Sequence, residues 1–299
     1  MKISLGSWAF SFGPYSDNPI SFEETAQRLS SAGYDGVDIC GFPPHITLEK
    51  YPDRSSRQSI VRMLRDFNLG ISGYAADSSS INPVAEGSKS KYLDLFRRNL
   101  EMAQDLGSPS IRVDTVAAPG SVSDANYRAA FHRIADTWRE AAETARDAQI
   151  RLVWEFEPGF LFNKPSEILE MHQEVGHPNF TILFDTSHAY MCGVVGARQH
   201  GAKDILSGGV EEFLHKLEGR IGAIHLIDSD GTLHGDETST HAPFGQGHID
   251  FESLAPKLLQ VPNIEWWIID MCFWAGSWEL VESSREFVAG LLASHVRMA

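Results

Sequence analysis

The sequence predicts one (β/α)8 barrel spanning residues 1–299. Three observations carry that expectation. Short apolar runs alternate with longer amphipathic segments, eight of each, along the whole chain. Glycine follows five of the amphipathic segments, at 33, 70, 107, 176 and 219, where a residue able to turn left-handed closes a helix. Four apolar runs end abruptly on a carboxylate or an imidazole, which is how buried parallel strands deliver polar groups to one face of a closed sheet.

Strand one is Ile3-Ser4-Leu5-Gly6-Ser7, followed by an aromatic loop through Trp8, Phe10, Phe12 and Tyr15. Ser21, with Glu24 three residues on, opens a helix as a capping box and Gly33 closes it. Strand two is Gly36-Val37-Asp38-Ile39. A helix from Ser56 to Phe67 stops near Gly70 and hands over to Ile71-Ser72-Gly73-Tyr74. Lys89 to Leu106 precedes Ser110-Ile111-Arg112-Val113, and Ser123 to Ala148 precedes Leu152-Val153-Trp154-Glu155. Pro165 suits the first turn of the fifth helix, which ends at Gly176 before Thr181–Phe184. Val210 to Leu217 leads to Ile221–Leu226. Asp250 caps a seventh helix that ends at Leu259 before Glu265–Ile269, and an eighth starts near Trp278. A doubly wound open sheet is the competing arrangement, but no GxGxxG follows strand one. Two connections exceed what a barrel needs, Ser187 to Gly209 and Asp228 to Gly247, and both are expected to enclose a substrate.

The 25 Lys+Arg stand against 40 Asp+Glu, a formal net charge of -15, which opposes a phosphodiester backbone and excludes nucleic acid as a partner. Cys40, Cys192 and Cys272 lie far apart without zinc spacing and read as reduced thiols. The N-terminus runs straight into a strand, and no stretch is long and apolar enough to span a bilayer. The expectation is a cytoplasmic protein with a small-molecule partner and no membrane association; oligomeric state is not encoded in any legible way.

Glu155, Asp185, His225 and Asp270 sit at the ends of strands five to eight. One acid at a strand end is usually a helix cap. Four polar groups on successive strands would instead face each other at considerable cost without a cation. Three carboxylates and one imidazole suit a hard or borderline divalent ion, with Mn2+ the leading expectation and Mg2+, Co2+ or Zn2+ also compatible. Glu157, two residues beyond Glu155, is read as a substrate hydrogen-bonding group. His188, three residues after Asp185, is placed beside the metal, and both His188 and His241, the latter in the second long connection, are candidate substrate-binding residues. Arg112 and Asp114 are expected to pair with each other. Trp8, Phe10, Phe273 and Trp274 are candidates for stacking on a sugar ring at the barrel mouth.

These residues carry a resemblance. Trp154-Glu155-Phe156-Glu157-Pro158-Gly159, Phe184-Asp185-Thr186-Ser187-His188, Ile224-His225-Leu226-Ile227-Asp228, the Pro243–Phe251 loop and Ile269-Asp270 are similar to the xylose isomerase-like TIM barrel superfamily. The resemblance is in particular to the sugar phosphate isomerase/epimerase group, which includes ketose 3-epimerases and hydroxypyruvate isomerases. The resemblance implies that Glu155, Asp185, His225 and Asp270 hold one divalent metal, and that Glu155 and Asp270 move a proton at the carbon beside a carbonyl. In the ketose epimerases the first and last of these are glutamates; Asp270 is one methylene shorter. The arginine those enzymes place shortly after the strand-seven histidine has no counterpart, since His225 is followed by Leu226-Ile227-Asp228-Ser229-Asp230-Gly231.

The expected activity is metal-dependent isomerisation or epimerisation of a sugar or sugar phosphate through an enediolate. The alternative is a lyase or dehydratase acting by β-elimination on a keto-sugar, keto-glycoside or keto-cyclitol. Phosphodiester cleavage, the reaction of the endonuclease IV branch, conflicts with the acidic surface. A non-catalytic sugar-binding barrel would bind tightly without proton exchange.

Overall fold

The computed structural model describes residues 1–296. Eight parallel strands close into a barrel: β1 (Lys2–Gly6), β2 (Gly36–Cys40), β3 (Gly70–Ala75), β4 (Ser110–Val113), β5 (Arg151–Glu155), β6 (Phe180–Asp185), β7 (Ile221–Leu226) and β10 (Trp266–Ile269). Two short strands, β8 (Leu233–His234) and β9 (Thr238–Ser239), form an antiparallel hairpin in the connection between β7 and β10. Around the barrel stand α1 (Phe22–Ser31), α2 (Arg54–Asp66), α3 (Lys89–Leu106), α4 (Asp124–Asp147), α5 (Pro165–Val175), α7 (Gly209–Lys216), α8 (Phe251–Leu258) and α9 (Val281–Val296). An additional short helix, α6 (Thr186–Tyr190), follows β6 directly and widens into a π-type turn over Met191–Val195. The first connection that the sequence suggested was irregular therefore opens as helix, and the second holds a hairpin.

The helix starts follow local chemistry. Ser21 accepts a hydrogen bond from the Glu24 backbone N–H, and Asp250 accepts one from Ser253, each capping its helix. Gly33, Gly107, Gly176 and Gly219 adopt the left-handed conformation expected of them. Gly70 does not. It is the first residue of β3, and Asn68 (φ 57°) makes the left-handed turn instead. The glycine serves packing: a Cβ on Gly70 would meet the Trp266 indole at 3.0 Å.

Strand alternation sorts the side chains into two layers. Leu152 and Trp154 of β5, Ile182 and Phe184 of β6, Ile224 and Leu226 of β7, and Trp267 and Ile269 of β10 join the main core between barrel and helices. There Trp154 and Trp138 of α4 stack with Phe180. The intervening residues Val153, Leu183 and Ala223 form a small cluster of their own that fills the barrel. One alternation further along the same strands come Glu155, Asp185 and His225. The polar ends thus stand directly above an apolar floor.

Candidate metal centre and cavity

Register brings the strand ends together. Asp185 lies opposite His225, Glu155 opposite Leu183, and His225 beside Ile268, which precedes Asp270 by two residues. Glu155, Asp185, His225 and Asp270 are all buried, and each offers one ligand atom within 4.8 Å of the others. His225 Nδ1 is 3.1 Å from Glu155 Oε1 and 3.4 Å from Asp270 Oδ2.

The donor set fits a cation. Glu155 Oε1, Asp185 Oδ2 and His225 Nδ1 are buried without a hydrogen-bond partner, a costly condition for polar atoms unless something else satisfies them. Burial would lower the His225 pKa, yet Asp270, Asp38 and Glu155 hold it well above the ordinary value. The carboxylates thus draw positive charge onto the one group able to carry it. A divalent ion among the same atoms would take over that role.

Asp185 uses its two oxygens differently. Oδ1 accepts from the His188 backbone N–H at 2.7 Å and caps α6, while Oδ2 faces the centre. Burial raises its pKa. Asp270 is more firmly held. Its Oδ1 accepts from Trp8 Nε1 at 2.8 Å and from the Cys272 N–H at 3.1 Å, and lies 3.2 Å from His241 Nδ1. Burial opposes its charge, but the His241 and His225 imidazoles hold its pKa well below the carboxylate range.

Arg112 pairs with Asp114 as expected, but more closely with Glu155. Its Nη1 donates to Glu155 Oε2 at 2.5 Å, whereas Nη2 lies 3.7 Å from Asp114. Against burial, Arg112 and His225 hold Glu155 down to about 2. Asp38 of β2 was not singled out from sequence. It is buried, with Oδ2 3.8 Å from His225 Nε2, and Gly73 leaves the room it occupies, since a Cβ there would come within 2.6 Å of that oxygen. The available signal was an acid inside an otherwise apolar strand.

The remaining residues surround the centre. Glu157 accepts a hydrogen bond from Thr238 Oγ1 of β9 and lies 4.0 Å from His188 Nε2. Burial pushes its pKa up to about 8. His188 Nδ1 meets Ser239 Oγ at 2.8 Å, and burial pushes the ring down to about 3. Burial works against charge on His241 too, but Asp270 holds it up at about 9. Asp185, His188 and His241 form a second buried group with metal-ligand spacing, sharing Asp185 with the first.

Above these groups opens a cavity of about 450 Å³, lined by Trp8, Glu155, Glu157, His188, His241 and Asp270 among others. Trp274 does not line it; Phe273 does. Phe10 is fully buried in the main core. Asp228, at the end of β7, anchors the overlying connection by accepting hydrogen bonds from the backbone N–H groups of Gly245, Gly247 and Ile249, each at 3.0 Å. None of the described helices is long and apolar enough to cross a membrane.

A family model described as xylose isomerase-like TIM barrel matches residues 26–287. Among curated proteins, a 2-oxo-tetronate isomerase of Pectobacterium atrosepticum is 24% identical over 240 residues, covering 77% of this chain and 82% of the relative. An L-ribulose-5-phosphate 3-epimerase of Salmonella paratyphi C is 26% identical over 283 residues, covering 91% and 90%. Among solved structures, a D-tagatose 3-epimerase-like protein superposes with a TM-score of 0.76 at 20% identity, over 100% of this chain and 99% of the other.

Proposed function

The chain belongs to the xylose isomerase-like TIM barrel family, and from that premise we propose that it is a divalent-metal-dependent isomerase or epimerase of a sugar. The observation that carries the reading is the convergence of Glu155, Asp185, His225 and Asp270 from four neighbouring barrel strands, with unpartnered buried atoms on the first three. The relatives named as an isomerase and a 3-epimerase support it.

Glu155, Asp185, Asp270 and the Nδ1 of His225 would hold the ion. Bound there, it supplies Lewis-acid polarisation of a carbonyl and makes the neighbouring C–H acidic. Glu155 is the residue that takes the proton. Its Oε1 lies among the ligand atoms, which leaves Oε2, paired with Arg112, as the oxygen that accepts the proton, and the residue borders the cavity. Asp270 has three donors around Oδ1 and acts as a fixed anion that completes the ligand set. Glu157 and His188 face the same cavity with polar atoms and orient substrate hydroxyls, while Trp8 and His241 fix Asp270 from either side. Return of the proton to the same carbon gives epimerisation, and to the adjacent carbon isomerisation.

Elemental analysis of protein purified without chelator tests the site, followed by proton exchange in heavy water with ketoses. The parent should carry about one equivalent of Mn, Co, Zn or Mg. The Asp185→Asn and His225→Ala variants should lose it, and the parent alone should incorporate deuterium beside the carbonyl. A parent that binds no added cation would defeat the reading.

A further inference from the structure

The upper part of the cavity differs in kind from its floor. Trp8, Cys40, Ala75 and Cys272 form a buried apolar cluster separate from the main core, and Phe12, Phe42 and Phe273 pack against it. Phe12 and Phe42 meet edge to face at 5.5 Å, and His234 of the hairpin stacks on Phe273 at 4.5 Å. Val116 and Phe160 complete the lining with further apolar surface.

Backbone conformation singles out two of these side chains. Val116 (φ 57°) and Phe273 (φ 66°) are both left-handed, a region unfavourable for any residue with a Cβ and most so for a β-branched one. Each is held in place locally. Asp114 Oδ1 accepts from the Val116 N–H at 2.9 Å, and the Ala117 N–H closes a tight turn onto the Thr115 carbonyl at 2.6 Å. Gly13 makes space for Phe273, because a Cβ on it would come within 2.9 Å of the ring. Strain of this sort persists at ligand clamps, where the surrounding structure over-determines it. Here both strained residues border the same cavity.

Charge excludes one occupant of this region. Five carboxyl groups line the cavity, those of Asp114, Glu155, Glu157, Glu237 and Asp270, against two guanidiniums and the His241 imidazole, which Asp270 already engages. Arg112 is already engaged by Glu155. Only Arg198, which donates to the Glu237 carbonyl at 2.8 Å, is left to receive an anionic substituent. The volume of about 450 Å³ belongs to the range that encloses ligands larger than a single sugar ring.

We propose that the substrate is a neutral sugar carrying a planar apolar substituent, with the sugar over the strand-end carboxylates and the substituent against the wall formed by Phe12, Phe42, Phe273 and Val116. This rests on the reading of the cavity floor as a sugar-processing centre, and it assigns the substrate class that such a centre takes. The apolar wall gives binding energy that a free ketose cannot collect.

The test is calorimetric titration of the metal-loaded protein with a matched pair, the methyl and phenyl glycosides of a 3-keto-hexose. The phenyl compound should bind roughly tenfold tighter or better, the scale expected for burying one aromatic ring. In Phe42→Ser and, separately, Phe160→Ser, the ratio should fall to about twofold with metal content unchanged. Equal affinity for the two compounds in the parent overturns the proposal. So does tighter binding of a ketose phosphate than of the phenyl glycoside, with that preference lost in Arg198→Ala. Deuterium exchange into a free ketose, measured on the same preparation, separates these results from failure of the isomerase reading: exchange persists if only the substituent is wrong. A parent that neither exchanges nor binds a cation overturns both.

Discussion

Arg112 crosses from β4 to Glu155 on β5 and keeps a second nitrogen near Asp114, so one guanidinium serves two buried carboxylates. In Arg112→Met, Asp114 would remain buried without its counter-charge and Glu155 would keep only the His225 imidazole. The expected cost is about 3–5 kcal/mol of stability, the scale for removing one partner of a buried pair. Urea unfolding of the chelated protein reads it directly, and a cost below about 1 kcal/mol would mean that the pair is effectively solvated. The convergence of the four strand-end polar groups was legible because an apolar run that stops on a charge is a local signal. Arg112 and its pairing with Asp114 were visible too, but its nearer partner was not. Asp114 is two residues away in sequence, whereas Glu155 is 43 away and becomes adjacent only when β4 and β5 pair. Asp38 escaped notice for a related reason: only the closed barrel brings β2 across from β7.

At the scale of elements, the connection after β7 is organised by one carboxylate. Asp228 gathers the N–H groups of Gly245, Gly247 and Ile249, and the same connection delivers Thr238 and His241 to the cavity and Ser239 to His188. A Cβ on Gly247 would stand 2.3 Å from Asp228 Oδ1 and 2.4 Å from the Ser229 carbonyl, and the latter, being backbone, has little freedom to yield. Gly247→Ala should therefore loosen the connection while leaving the barrel intact. Limited proteolysis should cut between about 228 and 249, and turnover should fall by about 100-fold, the scale of a 1 Å misplacement of positioning groups. Unchanged cleavage kinetics would show that the connection accommodates the methyl group. The length of this segment announced a functional role, but its hairpin did not, since two strands of two residues leave no periodicity to detect. Asp185 shows how two local readings coexist: as the N-cap of α6 it obeys helix rules through Oδ1, which leaves Oδ2 for the centre.

For the molecule as a whole, four buried candidate ligands at the ends of four strands would, with an ion bound, tie one side of the barrel through a single point. A cation bound there should raise the stability of the entire domain, by about 2.7 kcal/mol at a free concentration 100 times its Kd. Chelation should lower the midpoint of thermal unfolding, and stepwise return of Mn2+ should restore it in proportion to the logarithm of concentration. A midpoint indifferent to chelator would place the ion, if one binds, outside the folded core. The barrel itself was readable because alternation of strand and helix leaves few ways to close eight parallel strands. What local pattern does not contain is the seam. β1 pairs with β10, and across it Trp8 donates to Asp270 over 262 positions of sequence.

That seam gives the centre a place in time. Chains are made from the N-terminus at roughly 5–20 residues per second, so Trp8 waits on the order of 13–50 seconds for Asp270 to be synthesised. All eight barrel strands precede Asp270 in the chain. During translation the growing chain already presents Glu155, Asp185 and His225 with no Asp270 beside them. The complete centre is therefore a property of the finished barrel, acquired late in the chain's synthesis.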